Sequence, residues 1–131
     1  MKSAGLYIHI PFCRTKCHYC SFNSYPCPGS PPESYLDALV VHCQKFKEVW
    51  GEPDEISTIF IGGGTPTVYD AKLLAGLLDY CREIFSVDPQ VELTVETNPN
   101  TVSRAGFDAL LEAGVNRLSI GVQAFDDTLL P

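Results

Sequence analysis

Thr58-Ile59-Phe60-Ile61-Gly62-Gly63-Gly64-Thr65-Pro66-Thr67 runs from β-branched and aromatic residues straight into three glycines and a proline. Residues of the first kind suit a pleated strand, whereas Gly and Pro stop one. The next apolar residues, Leu73, Leu74, Leu77, Leu78, Cys81, Ile84 and Phe85, recur three and four apart, which predicts a helix. A strand that turns at once into a helix is half of a β-α-β unit. The same alternation extends both ways from this point.

Upstream, Leu6-Tyr7-Ile8-His9-Ile10 reads as a strand ended by Pro11. Ser30-Pro31-Pro32-Glu33 has capping-box spacing and leads into Leu36, Leu39, Val40, Cys43, Phe46 and Val49-Trp50, a helix stopped at Gly51. Downstream, Val91 to Glu96 is a third strand. A third helix starts at about Ser103, with Phe107, Leu110 and Leu111 on one face and Gly114 as its cap, and Arg117 to Val122 is a fourth strand. The order β-α-β-α-β-α-β requires parallel strands joined by crossover helices. The expected class is α/β, either an open doubly wound sheet or part of a (βα) barrel, with residues 1–131 forming one domain or part of one. Both folds collect their chemistry at the C-terminal ends of the strands.

Those ends carry the chemically distinctive residues here: cysteines after the first strand, glycines after the second, Glu96 ending the third and Gln123 ending the fourth. Three glycines let backbone approach a ligand closely and aim amide groups at it, although they also suit a tight strand-to-helix connection. Between Ile10 and Ser30 lie about twenty residues without hydrophobic period, a length that a functional or disordered loop explains. Cys13-x3-Cys17-x2-Cys20 places three thiols on that loop, within at most about 13 Å and about 10 Å of one another along the chain. Three thiolates can hold a [4Fe-4S] cube and leave one iron open to a further ligand. A zinc site completed by Cys27 or His18, and a four-cysteine site using Cys27, are the competing readings.

The other cysteines, Cys43 and Cys81, fall on apolar helical positions and read as buried small hydrophobes. His9 shares a strand face with Tyr7 and is expected to be a hydrogen-bonded core histidine. The chain has 131 residues, 45% hydrophobic and 19% charged, enough for one core. A net charge of −7 and no basic cluster argue against nucleic acid as a partner. No apolar run reaches the length of a membrane span, and no secretory leader is visible, so a cytoplasmic setting is expected.

Cys13-x3-Cys17-x-Tyr19-Cys20, with an aromatic before the third cysteine, resembles the signature of radical S-adenosylmethionine (SAM) enzymes. Tyr7-Ile8-His9-Ile10-Pro11-Phe12-Cys13 is similar to the oxygen-independent coproporphyrinogen III oxidase family and its heme-chaperone relatives. Gly62 to Thr67, Glu96-Thr97-Asn98-Pro99 and Leu118 to Phe125 match further blocks of that family in order, so the likeness covers nearly the whole chain.

The resemblance implies the first part of a radical SAM barrel, about four strands of it. It implies Cys13, Cys17 and Cys20 as ligands of a [4Fe-4S] cluster, and Gly63, Gly64 and Thr65 as contacts of the methionine end of SAM. By the same carry-over Tyr7, Tyr19, Glu96 and Gln123 bind SAM; apart from the family, an ion pair for Glu96, a capped strand end for Gln123 and core aromatics for the tyrosines are the alternatives. In such proteins a one-electron reductant feeds the cluster, SAM is cleaved, and the resulting 5′-deoxyadenosyl radical abstracts hydrogen from a substrate; the oxidases use it to decarboxylate two propionates of coproporphyrinogen III. Those oxidases carry a cysteine two residues beyond the third ligand, where this chain has Phe22. Ser21-Phe22 resembles instead the heme-chaperone branch, whose members bind heme and pass it to acceptor proteins. Family members continue well beyond Pro131, so the expectation is an N-terminal fragment or truncated gene. A truncated, non-catalytic iron-sulfur module is the reading from a different class.

Overall fold

Ile8, Ile61 and Val95 stand side by side on three neighbouring strands, and each is 3% exposed or less. Ile59 and Leu93 repeat the pairing two residues earlier, so alternate residues of each strand line one apolar face. The computed structural model describes residues 3–51, 53 and 55–130; Pro131, the expected point of truncation, lies outside them. The strands are β1 (Ser3–Ile10), β2 (Phe12–Cys13), β3 (Tyr25–Pro26), β4 (Glu55–Gly63), β5 (Val87–Thr97) and β6 (Arg117–Ile120). The helices are α1 (Ser34–Trp50), α2 (Ala71–Ile84) and α3 (Arg104–Glu112). β1, β4, β5 and β6 form a parallel sheet in that order, as the alternation of elements requires.

Leu36 of α1, Leu74, Leu77, Leu78 and Cys81 of α2 and Leu110 of α3 join the apolar face of the sheet in one continuous core. The opposite face is less covered: Tyr7 is 57% exposed and Phe60 beside it half-buried. Asp70 caps α2 by accepting the Lys72 amide at 2.8 Å, and Ser103 caps α3 by accepting that of Gly106 at 3.1 Å. Gly114, at φ +87°, closes α3 as expected.

Three expectations are corrected. The capping box at Ser30–Glu33 does not form: α1 begins at Ser34 with Glu33 at its N-cap and no side-chain cap bond. Pro32 keeps Pro31 out of the helical region, so the first turn starts at the Pro32 carbonyl, which accepts the Tyr35 amide and the Tyr69 hydroxyl. Of the face assigned to α3 only Leu110 is buried, whereas Leu111 is 68% exposed. The helix packs mainly against α2, near the β6 end of the sheet, where all four strand residues are exposed. Finally, β6 ends at Ile120 rather than Val122, because the amides of Val122 and Ala124 bond back two residues to Ile120 and Val122. These are γ-turns, and they put Gln123 at φ +66°.

Candidate functional site

The loop after β1 is ordered by its own polar groups. Tyr25 donates its amide to Pro11 at 2.6 Å and Cys27 to Cys13 at 2.6 Å, so β2 and β3 cinch the loop at its base. Lys16, between the first two cysteines, donates its ammonium to the carbonyls of Phe22 (2.6 Å) and Ser24 (3.2 Å) and meets the Ser24 hydroxyl at 2.8 Å. His9 Nε2 lies 2.9 Å from the Asn23 carbonyl, and its Nδ1 lies 2.9 Å from the Tyr7 hydroxyl. The histidine is hydrogen-bonded as expected, but only half-buried.

Beyond the loop opens a cleft of about 410 Å³ at the C-terminal ends of the strands. Cys13, Cys17 and Cys20 line it together with Tyr19, and Gly63, Gly64 and Thr65 line it beside Cys13. Glu96 and Gln123 border it from β5 and from the chain after β6. Of the residues assigned to the cluster and SAM only Tyr7 is not among those lining the cleft; it stands on the open face of β1, its ring 6.0 Å from that of Phe60. Burial, and then the charge of Glu96, hold the Tyr7 hydroxyl above the ordinary phenol range. Tyr19, 72% exposed, is also raised, first by its hydrogen bond with Cys17. Cys27 and His18 are not among the lining residues; the Cys27 thiol points to the Gly29 carbonyl at 3.8 Å. Among the described residues no three His, Cys, Asp or Glu side chains gather as a single-ion site requires.

The glycine run is also engaged within the chain: Gly63 donates its amide to Glu96 Oε2 at 3.0 Å, Gly64 to the Ile10 carbonyl at 2.8 Å and the following Thr65 to the Phe12 carbonyl at 2.8 Å. What the missing side chains allow is contact. A Cβ on Gly64 would meet the Phe12 carbonyl oxygen at 2.6 Å and Cys13 Sγ at 3.0 Å, so only glycine lets the cysteine loop seat against β4.

Other lining residues escaped the sequence reading. Asn98 donates its side-chain amide to Thr65 Oγ1 at 2.9 Å, and Thr65 Oγ1 in turn lies 3.6 Å from Cys13 Sγ. The hydroxyls of Thr67, Thr97 and Thr101 meet pairwise at 2.7 to 2.9 Å beneath it. The available signal was Asn98-Pro99-Asn100-Thr101, a turn sequence at the end of a strand.

The radical SAM superfamily model matches residues 7–131. The chain belongs to the radical SAM superfamily. Such proteins use a [4Fe-4S] cluster and SAM. Among curated relatives, the heme chaperone HemW of Bacillus subtilis is 47% identical over 99% of this chain and 34% of its own length. HemW of Escherichia coli is 41% identical over 96% and 33%. A mitochondrial radical SAM domain-containing protein of Bos taurus is 36% identical over 98% and 29%. The solved structure of coproporphyrinogen III oxidase from Escherichia coli, a radical SAM enzyme, superposes with a TM-score of 0.86 at 28% identity, over 97% of this chain and 29% of that one. The fold is therefore that of a partial radical SAM barrel. The chain spans about a third of the length of the curated relatives it matches.

Proposed function

We propose that this chain is the cluster- and SAM-binding part of a heme chaperone. Cys13, Cys17 and Cys20 would hold the cluster, and three thiolates would leave it a coordination site for SAM. The observation that carries this reading is that the three thiols line one cleft with Gly64 and Thr65, the Thr65 hydroxyl 3.6 Å from Cys13 Sγ, while Cys27 and His18 are not among its lining residues. The cluster and SAM together supply one-electron chemistry. The chain's own part is to seat them: Lys16 holds the loop, the glycines bring it against β4, and Glu96, with Oε2 engaged by Gly63, keeps Oε1 for a donor on SAM. Gln123 and Tyr19 border the same space. Tyr7, close enough to Glu96 to feel its charge and bonded to His9, stands at the β1 side of this space.

Heme as ligand, a heme-acceptor protein and an external one-electron reductant belong to this reading. It is supported by the identity to heme chaperones, higher than that to the oxidase structure, and by Phe22, which lines the cleft where the oxidases carry a cysteine. The structural likeness to coproporphyrinogen III oxidase supports the second reading, oxidative decarboxylation of that porphyrinogen. The test is anaerobic reconstitution of the full-length protein. Wild type should be brown, bind heme and leave coproporphyrinogen III unchanged with SAM and reductant present. Ala at Cys13, Cys17 or Cys20 should remove the colour, and Ala at Cys27, Cys43 or Cys81 should retain it. Vinyl products in the porphyrin analysis would establish the oxidase instead, and a colourless zinc-loaded protein would overturn both readings.

A further inference from the structure

The Thr65 side chain is 3% exposed and carries one proton on an oxygen with two polar neighbours. One neighbour, the Asn98 amide nitrogen at 2.9 Å, can only donate, so it occupies a lone pair of Thr65 Oγ1. The proton is thereby left for the other neighbour, Cys13 Sγ at 3.6 Å. A thiol must ionise to ligate iron, and a thiolate can only accept. The sense of the chain is therefore set from its far end: Asn98 donates to Thr65, and Thr65 donates to Cys13.

The side-chain orientation of Asn98, with Nδ2 toward Thr65, decides that sense, and the turn that follows fixes its backbone. Its backbone carbonyl oxygen accepts the Thr101 hydroxyl at 2.6 Å and the Thr101 amide at 3.2 Å, in a turn where Asn100 takes φ +62°. Its side-chain Oδ1 points at Gly121, where even a Cβ would approach to 2.5 Å. Were the amide reversed, Oδ1 would take the Thr65 proton and the sulfur would lose its donor. An iron-sulfur cluster gains negative charge on reduction, and donors to its sulfurs favour the reduced form, as outer groups do at metal sites generally.

We propose that Asn98, a positioning residue acting through Thr65, raises the reduction potential of the cluster held at Cys13. The inference rests on the cysteine assignment above and adds to it a residue with no contact to iron. Because Thr65 also faces the space assigned to SAM, the measurement is made without SAM, so that a shift reports the cluster's surroundings alone.

The experiment is a redox titration of the reconstituted full-length protein, followed by electron paramagnetic resonance, with iron and sulfide counted in each variant. Thr65→Val should make the potential more negative, and Thr65→Ser should return it toward wild type. Asn98→Leu should lower the potential in the wild-type background and change it little in the Thr65→Val background, because its effect needs the hydroxyl. If Thr65→Val does not assemble a cluster, Thr65→Ala removes the same proton without filling the space. Equal potentials for Val, Ala, Ser and wild type, each with a full cluster, would overturn the inference, as would equal shifts from Asn98→Leu in both backgrounds. Wild type that binds no cluster would instead overturn the cysteine assignment, so the two failures are told apart by the iron count.

Discussion

Glu96 Oε2 accepts the Gly63 amide at 3.0 Å, joining the ends of two neighbouring strands across the rim of the cleft. Gly62 makes room for it, since a Cβ there would fall 2.7 Å from the same oxygen. Glu96→Ala leaves a half-buried amide without its partner, which costs about 1–3 kcal/mol. Urea denaturation of the full-length protein should show that loss. Glu96→Gln, which keeps an acceptor, should recover most of the stability, while calorimetry should show weaker SAM binding for both variants at unchanged iron content.

Gly63 answers differently. At φ +117° with a Cβ position 2.6 Å from the His9 ring, Gly63→Val strains the backbone and displaces a strand edge. Strain of this kind costs on the order of 1–3 kcal/mol. The expected outcome is a lower unfolding midpoint together with lower iron content, in contrast to Glu96→Gln.

Lys16 crosses the cysteine loop from one side to the other. Lys16→Met keeps most of the stem and removes the donors, so the thiols remain but their spacing loosens. Reconstitution should be slower and iron content at a fixed time lower, yet above that of Cys13→Ala. Equal loading rates for Lys16→Met and wild type would show that the loop orders without it.

The Cys81 thiol on α2 holds that of Cys43 on α1 below the ordinary thiol range, to about 7, while Cys43 and burial hold Cys81 above it. Thiolate is the reactive form, so alkylation of half-buried Cys43 should rise through about pH 7, earlier than for an ordinary cysteine. Its folded value is depressed, so its contribution to stability is complete above the unfolded pKa and is lost as pH falls through about 7. Cys81→Ala should move the alkylation profile to higher pH, as read by mass spectrometry of iodoacetamide adducts.

Leu78 and Leu93 are fully buried at the helix-sheet contact. Replacing either with Ala should cost about 2–5 kcal/mol in urea unfolding. Leu111→Ala, at 68% exposure, should change stability by no more than about 0.5 kcal/mol.

The strand-helix alternation was legible because each strand buries a row that the sequence shows as Val, Ile and Leu, and each helix buries a stripe. Helix starts were less legible: Ser30 and Glu33 have the spacing of a cap, but two prolines between them settle where the first turn begins. The cysteines, glycines, Glu96 and Gln123 were legible as occupants of strand ends, and the parallel sheet brings them to one cleft. What the glycines do there was not, because their partners, Phe12 and Cys13, are neighbours only after β1 and β4 pair. Asn98 was missed for the same reason: as a sequence it is part of a turn, and its role appears only once Thr65 stands 2.9 Å away.

Thr65 and Cys13 are 52 residues apart in the chain. At about 5–20 residues per second, synthesis separates them by roughly 3–10 s. Over that interval the first thiol exists without the backbone amide that anchors its neighbour Phe12, without the glycine surface it rests on and without the hydroxyl beside its sulfur. The cysteines are thus made early and their setting late.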